Sequence, residues 1–350
     1  MIMNYDEIFT FENLYQAHLQ SRKCKRNKKD VILFELNLSE NLWSLYDRLR
    51  DRTYNVSGYN HFVIYEPKRR EIQALEYKDR IVQHTLCDLY LYPLLTSKFI
   101  FDNGGCQKGK GTDFALNRLS DFLRKFYKSH GNDGYILKAD IHHFFPSIDH
   151  KTLKYKLRRI IDDNDVYDLT ERIIDSYNSD IDKGVPMGNQ TSQLFALYYL
   201  DQLDRLIKEK LQIKYYVRYM DDCILIHEDK EYLKWCLRKM EECIEDELLL
   251  EFNEKTQIFP IKNGVDFLGF HFYMTDTGKV IRKVRQSTKK KYKKRMKKMR
   301  DDYNAGLIEY EDIQKVLPGF NGHLKRGHTY RLKKAVLNDF ILIKPQEESQ

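Results

Sequence analysis

Three aspartates lie in apolar stretches of the sequence, where charged side chains are rare. Asp140 ends the apolar run 135–141 (YILKADI), and Asp221 and Asp222 lie between the two apolar halves of 214–227 (KYYVRYMDDCILIH). A carboxylate buried in such a strand costs several kcal/mol unless something compensates its charge. Turns favour aspartate, so the pair at 221–222 alone is also consistent with an ordinary turn. Asp140 lacks that explanation, because no Gly or Asn follows it.

The three carboxylates would converge if their strands were neighbours in one sheet. They would then repel one another unless divalent cations were bound, and oxygen ligands suit Mg²⁺, with Mn²⁺ as the alternative ion. Two such ions roughly 3.5–4 Å apart are used for in-line phosphoryl transfer. One would lower the pKa of an attacking 3′-hydroxyl, and the other would bind the triphosphate and the leaving pyrophosphate. We therefore predict a two-ion site at Asp140, Asp221 and Asp222.

The helices and strands that position these residues are predicted from the spacing of apolar residues and from the Gly and Pro residues that interrupt it. Short strands are predicted at 61–66, 70–75, 135–141 and 265–273, and a hairpin over 214–227. Helices are predicted over 7–23, 38–52, 78–97, 112–128, 150–161, 166–178, 190–211 and 230–247, and from about 287 to about 342. Strands alternate irregularly with helices, which favours an α+β fold over a doubly wound sheet.

Composition narrows the class of protein. The 350 residues are 42% hydrophobic, so a large core can form and a disordered chain is excluded. No apolar run approaches the roughly 18–20 residues that span a bilayer, and the first residues do not resemble a secretory signal. The six cysteines form no CxxC pair, which is typical of reduced thiols in a cytoplasmic protein. A net charge of +8 favours a nucleic-acid partner.

Several ordered motifs around the aspartates resemble those of reverse transcriptases. Residues 219–222 (YMDD) resemble the family's YxDD motif, and Asp140 lies 81 residues upstream of Asp221, as the first palm motif does. Residues 185–193 (VPMGNQTSQ) resemble the second palm motif. Further similarities are, in chain order, 68–72 (KRREI), 79–84 (DRIVQH), 105–112 (GCQKGKGT), 253–256 (NEKT) and 267–269 (FLG). The resemblance covers roughly residues 60–335.

The resemblance implies a right-hand polymerase fold with an antiparallel palm sheet and a helical thumb. Its expected divisions are N-terminal helices and fingers at 1–134, palm at 135–275 with a helical fingers insertion at about 150–182, basic thumb at 276–342 and tail at 343–350. It also implies an RNA-directed DNA polymerase whose partners are template RNA, primer or cDNA, and deoxynucleotides.

The second palm motif indicates a subfamily. Group II intron and retron enzymes usually read PQGxxxSP, whereas this chain has Met187 in place of the Gln and ends in SQ. Both departures resemble reverse transcriptases of diversity-generating retroelements, which copy a template repeat with errors at adenines. Met lacks the hydrogen-bonding handle of Gln, and a looser hold on the nucleotide lowers fidelity. The alternatives are that Met187 only fills the core, or that the enzyme is of retron, group II or phage-defence type.

The resemblance also implies roles for single residues. Phe145 matches the sugar gate that rejects a 2′-hydroxyl, the Ile141 carbonyl would complete the metal site, and Met187 and Gly188 would contact the nucleotide. Lys68 and Arg70 match the residues that grip the triphosphate, although neighbouring Arg69 competes for this role. Lys255 would protonate pyrophosphate as general acid, or is a solvated surface lysine.

The stretch 279–300 holds thirteen Lys or Arg and no acid. As a thumb helix it would follow the template–primer backbone through Lys289, Lys290, Lys293, Lys294 and Lys297; a solvated face or a localisation signal is the alternative. An enzyme of the retroelement type would also work with a small basic accessory protein and a structured RNA. A different class, a catalytically silent RNA-binding protein, would not need the three aspartates.

Overall fold

The structure is a computed structural model that describes residues 3–65, 69–177 and 181–343. Four helices begin the chain: α1 (Tyr5–Ile8), α2 (Phe11–Ser21), α3 (Lys29–Leu36) and α4 (Leu38–Arg50). The predicted helix 7–23 is interrupted, because Thr10 adopts an extended conformation and its side chain accepts a hydrogen bond from the Asn13 N–H as the N-cap of α2. Helix α3 was not predicted from the sequence.

A hairpin and a long helical segment follow. Strands β1 (Tyr59–Ile64) and β2 (Arg70–Leu75) pair antiparallel. The predicted helix 78–97 forms as α5 (Tyr77–Leu86), a π-helical turn at Cys87–Leu91 and α6 (Tyr92–Thr96), and α7 spans Thr112–His130. Both predicted strands of the hairpin are confirmed.

The central sheet has the strand order β4-β5-β3-β6, with every pair antiparallel. Its strands are β3 (Tyr135–Ala139), β4 (Tyr215–Tyr219), β5 (Asp222–His227) and β6 (Gln257–Pro260). The connecting helices are α8 (Phe144–Ser147), α9 (His150–Arg158), α10 (Asn164–Asp175), α11 (Gln190–Tyr199), α12 (Asp201–Arg205) and α13 (Lys230–Glu242). The predicted 214–227 hairpin is confirmed, and β3 is an internal strand.

The sheet separates two hydrophobic cores. Leu137 and Cys223 point to one face and pack with helices α9, α11 and α13 in the larger core. Ile136 and Ile224 point to the other face and pack with α7 and the C-terminal strands. Because side chains alternate along a strand, Asp140 shares the second face with Ile136, and Asp222 shares it with Ile224.

The C-terminal region is a second sheet followed by three helices. Strands β7 (Val265–Phe267), β8 (Phe270–Met274) and β9 (Val280–Val284) form an antiparallel meander, followed by α14 (Gln286–Asn304), α15 (Tyr310–Leu324) and α16 (Tyr330–Asn338). The single strand predicted at 265–273 is wrong, because Leu268 and Gly269 adopt positive φ angles of 45° and 87° and reverse the chain. The α+β class is confirmed. Among the described residues, no helix is long and apolar enough to cross a membrane.

Candidate active site

The central sheet brings the three predicted aspartates together. Ala139 pairs with Cys223 across β3 and β5, so the next positions along the two strands are Asp140 and Asp222. Tyr219 pairs with Asp222, which leaves Met220 and Asp221 as the two-residue turn between β4 and β5. All three carboxylates are half-buried. The arrangement places two aspartates on neighbouring strands and the third at the adjoining turn.

The carboxylates disfavour one another's charge. Burial chiefly, with a smaller contribution from Asp140, raises the pKa of Asp221. Burial raises the pKa of Asp222 to about 7; Lys138 opposes this rise, while Asp140 and Asp221 add to it. Without a cation the site therefore holds part of its protons near neutral pH.

The donor set fits a divalent cation. Oδ1 of Asp222 is buried and has no hydrogen-bond partner, and the nearest cation is Lys138 Nζ at 3.6 Å. A metal ion would satisfy this oxygen and relieve the repulsion among the carboxylates. Within the described ranges, no group of three or more His, Cys, Asp or Glu side chains is already arranged around a metal position. The residues thus match the chemistry of the ion, while the site is not preformed.

The segment 253–256 (NEKT) holds the backbone of Asp140 from both sides. The Asn253 N–H donates to the Asp140 carbonyl (2.7 Å), and the Asp140 N–H donates to Thr256 Oγ1 (3.3 Å). Ile141 is buried and forms a bridge with Phe252. The side chain of Lys255 is exposed, so this motif positions Asp140 through its backbone and through Thr256.

The turn that carries Asp221 is held from the protein interior. Met220 has a φ of 56°, a conformation that costs a non-glycine residue energy unless its surroundings impose it. Nη1 of Arg218 donates to the Met220 carbonyl (2.8 Å), and Nε of Arg218 donates to Asp204 (2.7 Å). Tyr216 donates a further hydrogen bond to Asp204 (2.6 Å). Arg218 and Asp204 are fully buried, so a desolvated ion pair supports the backbone of the turn.

The β1–β2 hairpin carries a cation whose charge acts on the same site. Arg70 begins β2, and its positive charge lowers the pKa of Asp221 against the larger effect of burial. Arg69 is instead paired with Glu71 (2.8 Å). Lys68 lies outside the described residues. Of the two described arginines, Arg70 is therefore the one whose charge favours the ionised form of Asp221.

Met187 and Gly188 line a cavity of about 450 Å³ that is also lined by residues of the β1–β2 hairpin and α5. Met187 is half-buried, and Gly188 has a φ of 108°, which favours glycine. Side-chain amides approach this region: the Nε2 of Gln83 and the Nδ2 of Asn189 are buried and have no hydrogen-bond partner. The cavity is thus lined both by these unpartnered amides and by the residues predicted to contact the nucleotide.

Phe145 lies in the short helix α8, which follows the end of β3. The chain leaves β3 at Asp140, and His143 adopts a φ of 44° before α8. Phe145 is half-buried, and its carbonyl accepts a hydrogen bond from the Val185 N–H (3.0 Å). This bond joins the segment after Asp140 to the segment that carries Met187.

The basic stretch is divided between two elements. It begins as β9 and continues as α14. On α14, Lys290, Lys293, Lys294 and Lys297 are exposed, whereas Lys289 is half-buried. Four of the five predicted lysines therefore face solvent, where a phosphate backbone could reach them.

Three residues that support the site were missed from the sequence. Lys138 donates from Nζ to the Asp266 carbonyl (2.7 Å) and also approaches Asp222. Its position two residues before Asp140 places both on one face of β3, a signal that strand alternation could have given. Arg218 and Asp204 gave no such signal, because their contact depends on how α12 packs on the sheet.

Comparisons with known proteins identify a family and a similar fold. The sequence profile "Reverse transcriptase (RNA-dependent DNA polymerase)" matches residues 66–272, more than half of the chain. No curated protein matches the sequence significantly. Among solved structures, a Candida albicans telomerase in complex with a fragment of telomeric RNA is similar at a TM-score of 0.50 and 14% identity, with 87% of this chain and 64% of that chain covered. An apo telomerase of Candida tropicalis is similar at a TM-score of 0.49 and 15% identity, with 65% of this chain and 49% of that chain covered. The chain thus spans about half to two thirds of these proteins, and the Candida albicans similarity shows a shared fold.

Proposed function

The chain belongs to the reverse transcriptase family, and we propose that it copies RNA into DNA by nucleotidyl transfer at Asp140, Asp221 and Asp222. The observation that carries the proposal is the pairing of β3 with β5, which sets Asp140 beside Asp222 and next to the turn at Asp221. The raised pKa values of Asp221 and Asp222 and the unpartnered Asp222 Oδ1 are expected of a cation-binding site in the absence of the cation.

Each neighbouring residue has a proposed role. Two Mg²⁺ ions, or Mn²⁺, held by the three carboxylates and the Ile141 carbonyl, would lower the pKa of the primer 3′-hydroxyl and neutralise the triphosphate. Arg70, together with Lys68, would bind the triphosphate oxygens, because a guanidinium fork matches phosphate. Lys255 would donate a proton to the departing pyrophosphate.

Selection of the nucleotide is proposed for the residues around the Met187 cavity. The ring of Phe145 would exclude a 2′-hydroxyl and so select deoxynucleotides. Met187 and Gly188 would contact the nucleotide, and the absence of a hydrogen-bonding side chain at Met187 would weaken discrimination between bases. Copying would therefore be error-prone, with adenines in the template as the expected sites.

The template–primer duplex would lie along α14. This helix carries an exposed row of cations, formed by Lys290, Lys293, Lys294 and Lys297. The half-buried Lys289 lies in the same helix. In this proposal residues 1–134 are N-terminal helices and fingers, 135–275 are palm with a helical fingers insertion at about 150–182, 276–342 are thumb and 343–350 are the tail. The biological setting proposed is a diversity-generating retroelement in the cytoplasm, with a small basic accessory protein and a structured RNA as partners.

Primer extension on an RNA template tests the proposal. The wild-type chain should extend a DNA primer with deoxynucleotides when Mg²⁺ is present, and Asp221→Asn should abolish extension. Asp276→Asn, which changes an exposed aspartate away from the sheet, should be as active as the wild type. Equal activity in Asp221→Asn would contradict the site assignment, and RNA binding without extension in the wild type would favour the silent RNA-binding protein.

Sequencing the cDNA made from the RNA encoded next to the gene tests the finer setting. Substitutions confined mostly to template adenines would support the retroelement. Faithful cDNA would favour a retron, group II or phage-defence enzyme instead.

A further inference from the structure

A second cavity lies on the helical side of the central sheet. It has a volume of about 610 Å³ and is formed by α9, α12 and the segments beside them. Asp140 and Asp222 belong to the opposite face of the sheet, because they alternate with the residues that pack against α9 and α11. The cavity is therefore separate from the proposed catalytic site, and we call it the α9 cavity.

Cations dominate the lining of the α9 cavity. Lys98, Lys156, Arg159 and Arg205 outnumber the two acids, Asp201 and Glu247. Arg205 is paired with Asp201 (2.9 Å), and Lys156 donates to Gln202 (2.9 Å). Within the described ranges, no carboxylate lies within ion-pair distance of Lys98 or Arg159, and both side chains are exposed. The rim thus offers two uncompensated positive charges to an anion.

An aromatic platform stands beside these cations. Tyr155 lines the cavity and is 66% exposed, so its ring is accessible to a ligand. The guanidinium of Arg159 lies 5.9 Å from its ring centroid. Exposed tyrosines next to arginine provide the stacking surface and the phosphate contact that single-stranded nucleic acids use.

The inner wall contains an unsatisfied acceptor. Asp201 is 6% exposed, and its Oδ1 has no hydrogen-bond partner, while Oδ2 accepts from Arg205. A buried acceptor without a donor is unfavourable, because it has lost its hydrogen bonds to water. A ligand with a hydroxyl group would supply the missing donor.

We propose that the α9 cavity binds a nucleotide of single-stranded RNA, with its base on Tyr155, its phosphate on Arg159 and Lys98, and a ribose hydroxyl directed to Asp201. The four observations share this one ligand: a stacking ring, two uncompensated cations, a hydroxyl acceptor and a volume that suits a small-molecule subsite. Such a site would hold a part of the RNA that is not being copied.

The test uses the full chain with its catalytic cleft occupied by excess primer–template duplex. A short single-stranded RNA that contains 4-thiouridine is bound, irradiated and mapped by mass spectrometry, and its affinity is measured by fluorescence anisotropy. Crosslinks should fall on α9 at Tyr155. Tyr155→Ala should weaken binding at least about fivefold, and Arg159→Gln should lower the salt slope by about 0.7.

Two matched controls isolate the cavity. Arg158→Gln changes the neighbouring exposed arginine, which does not line the cavity, and Tyr155→Phe keeps the stacking ring. Both should bind RNA as the wild type does. All four variants should extend a short primer normally, which shows that the fold is intact.

Other results would overturn the proposal. Crosslinks elsewhere, or unchanged affinity in both Tyr155→Ala and Arg159→Gln, would exclude RNA from the cavity. If uridine monophosphate bound as tightly as the oligonucleotide, the ligand would be a free nucleotide rather than RNA. If the wild type bound DNA of the same sequence as tightly as RNA, the role given to the ribose hydroxyl would be wrong.

Discussion

The guanidinium of Arg218 and the carboxylate of Asp204 form a fully buried ion pair that also holds the carbonyl of Met220. The pair joins α12 to β4, whose next residues form the turn at Asp221. A buried pair of this kind contributes little net stability, but removal of one partner leaves an uncompensated charge. Its effect here is positional, since it fixes the backbone of a turn whose Met220 adopts an unfavourable conformation.

Arg218→Met should therefore lower the free energy of unfolding by about 3–5 kcal/mol. The double change Arg218→Met with Asp204→Leu should recover most of that stability, because no charge stays buried. Single-turnover extension should stay slow in the double variant, since the hydrogen bond to Met220 is still missing. Urea denaturation and rapid-quench kinetics measure the two effects, and full recovery of the rate would contradict the positional role.

The raised pKa of Asp222 predicts a pH dependence in the metal-free protein. The folded pKa of about 7 lies above the ordinary value, so between these pH values the folded state binds more protons than the unfolded state. The free energy of unfolding should consequently fall as the pH rises from about 4 to 7. Asp222→Asn should be more stable than wild type at pH 8 by roughly 1–3 kcal/mol, and this advantage should vanish below pH 4.

Thermal melts in EDTA between pH 4 and 8 measure this difference. Asp276→Asn serves as the exposed control, and it should follow the wild type at every pH. Mg²⁺ added at pH 8 should stabilise the wild type and leave Asp222→Asn little changed. An unchanged pH profile in Asp222→Asn would show that Asp222 titrates normally.

Gly105 is predicted to set the position of the catalytic turn. A Cβ at this residue would lie 2.9 Å from Met220 Sδ and 2.9 Å from Leu197 Cδ2. Gly105→Ala should push the turn outward and lower kcat about tenfold or more, because small displacements of catalytic groups are costly, with little effect on the KM for deoxynucleotide. Gly319→Ala is the matched control, since open space surrounds that position in α15. Normal steady-state kinetics for Gly105→Ala would show that the turn tolerates the shift.

The exposed lysines of α14 should determine how strongly duplex binding depends on salt. Replacing Lys290, Lys293, Lys294 and Lys297 by Gln should lower the slope of log affinity against log salt by up to about 0.9 for each phosphate that the protein no longer neutralises. The same number of changes at Lys230, Lys234, Lys239 and Lys315 should leave the slope unchanged. Anisotropy titrations with a template–primer duplex at several salt concentrations measure the slope for each variant. If the α14 variant had the same slope as the wild type, the duplex would lie elsewhere.

Met187→Gln should raise fidelity. The added amide can hydrogen-bond the nucleotide in the cavity, which widens the free-energy gap between right and wrong pairs by about 1–2 kcal/mol, or roughly tenfold in error rate. Met187→Leu, which adds no hydrogen-bonding group, should keep the wild-type error rate. Deep sequencing of cDNA from a defined template measures both, and an unaltered error spectrum in Met187→Gln would reject a role for Met187 in fidelity.

The sequence predicted the strands of the site well because their patterns are local. The apolar run before Asp140 and the two runs around Asp221 and Asp222 specify strands by composition alone. Their convergence depended on the assumption that the two strands are neighbours, and the β3–β5 register confirms it.

Other features were hidden because they depend on distant partners. Thr256 lies 116 residues from Asp140, and nothing in either neighbourhood indicates their hydrogen bond. Strand β6 was not predicted, since its four residues carry no clear alternation. The reversal at Leu268 looked like continuous strand because apolar residues stand on both sides of it, and only Gly269 marked the turn.

The position of β3 has a mechanical consequence. This strand is hydrogen-bonded on both edges and covered by a core on both faces, whereas β1 and β2 form a two-stranded sheet among the described residues, and much of their length is exposed. Asp140 therefore follows a strand that is supported on both edges and both faces, whereas Arg70 begins a strand of a largely exposed hairpin. We expect local opening to cost less free energy in the β1–β2 hairpin than in β3.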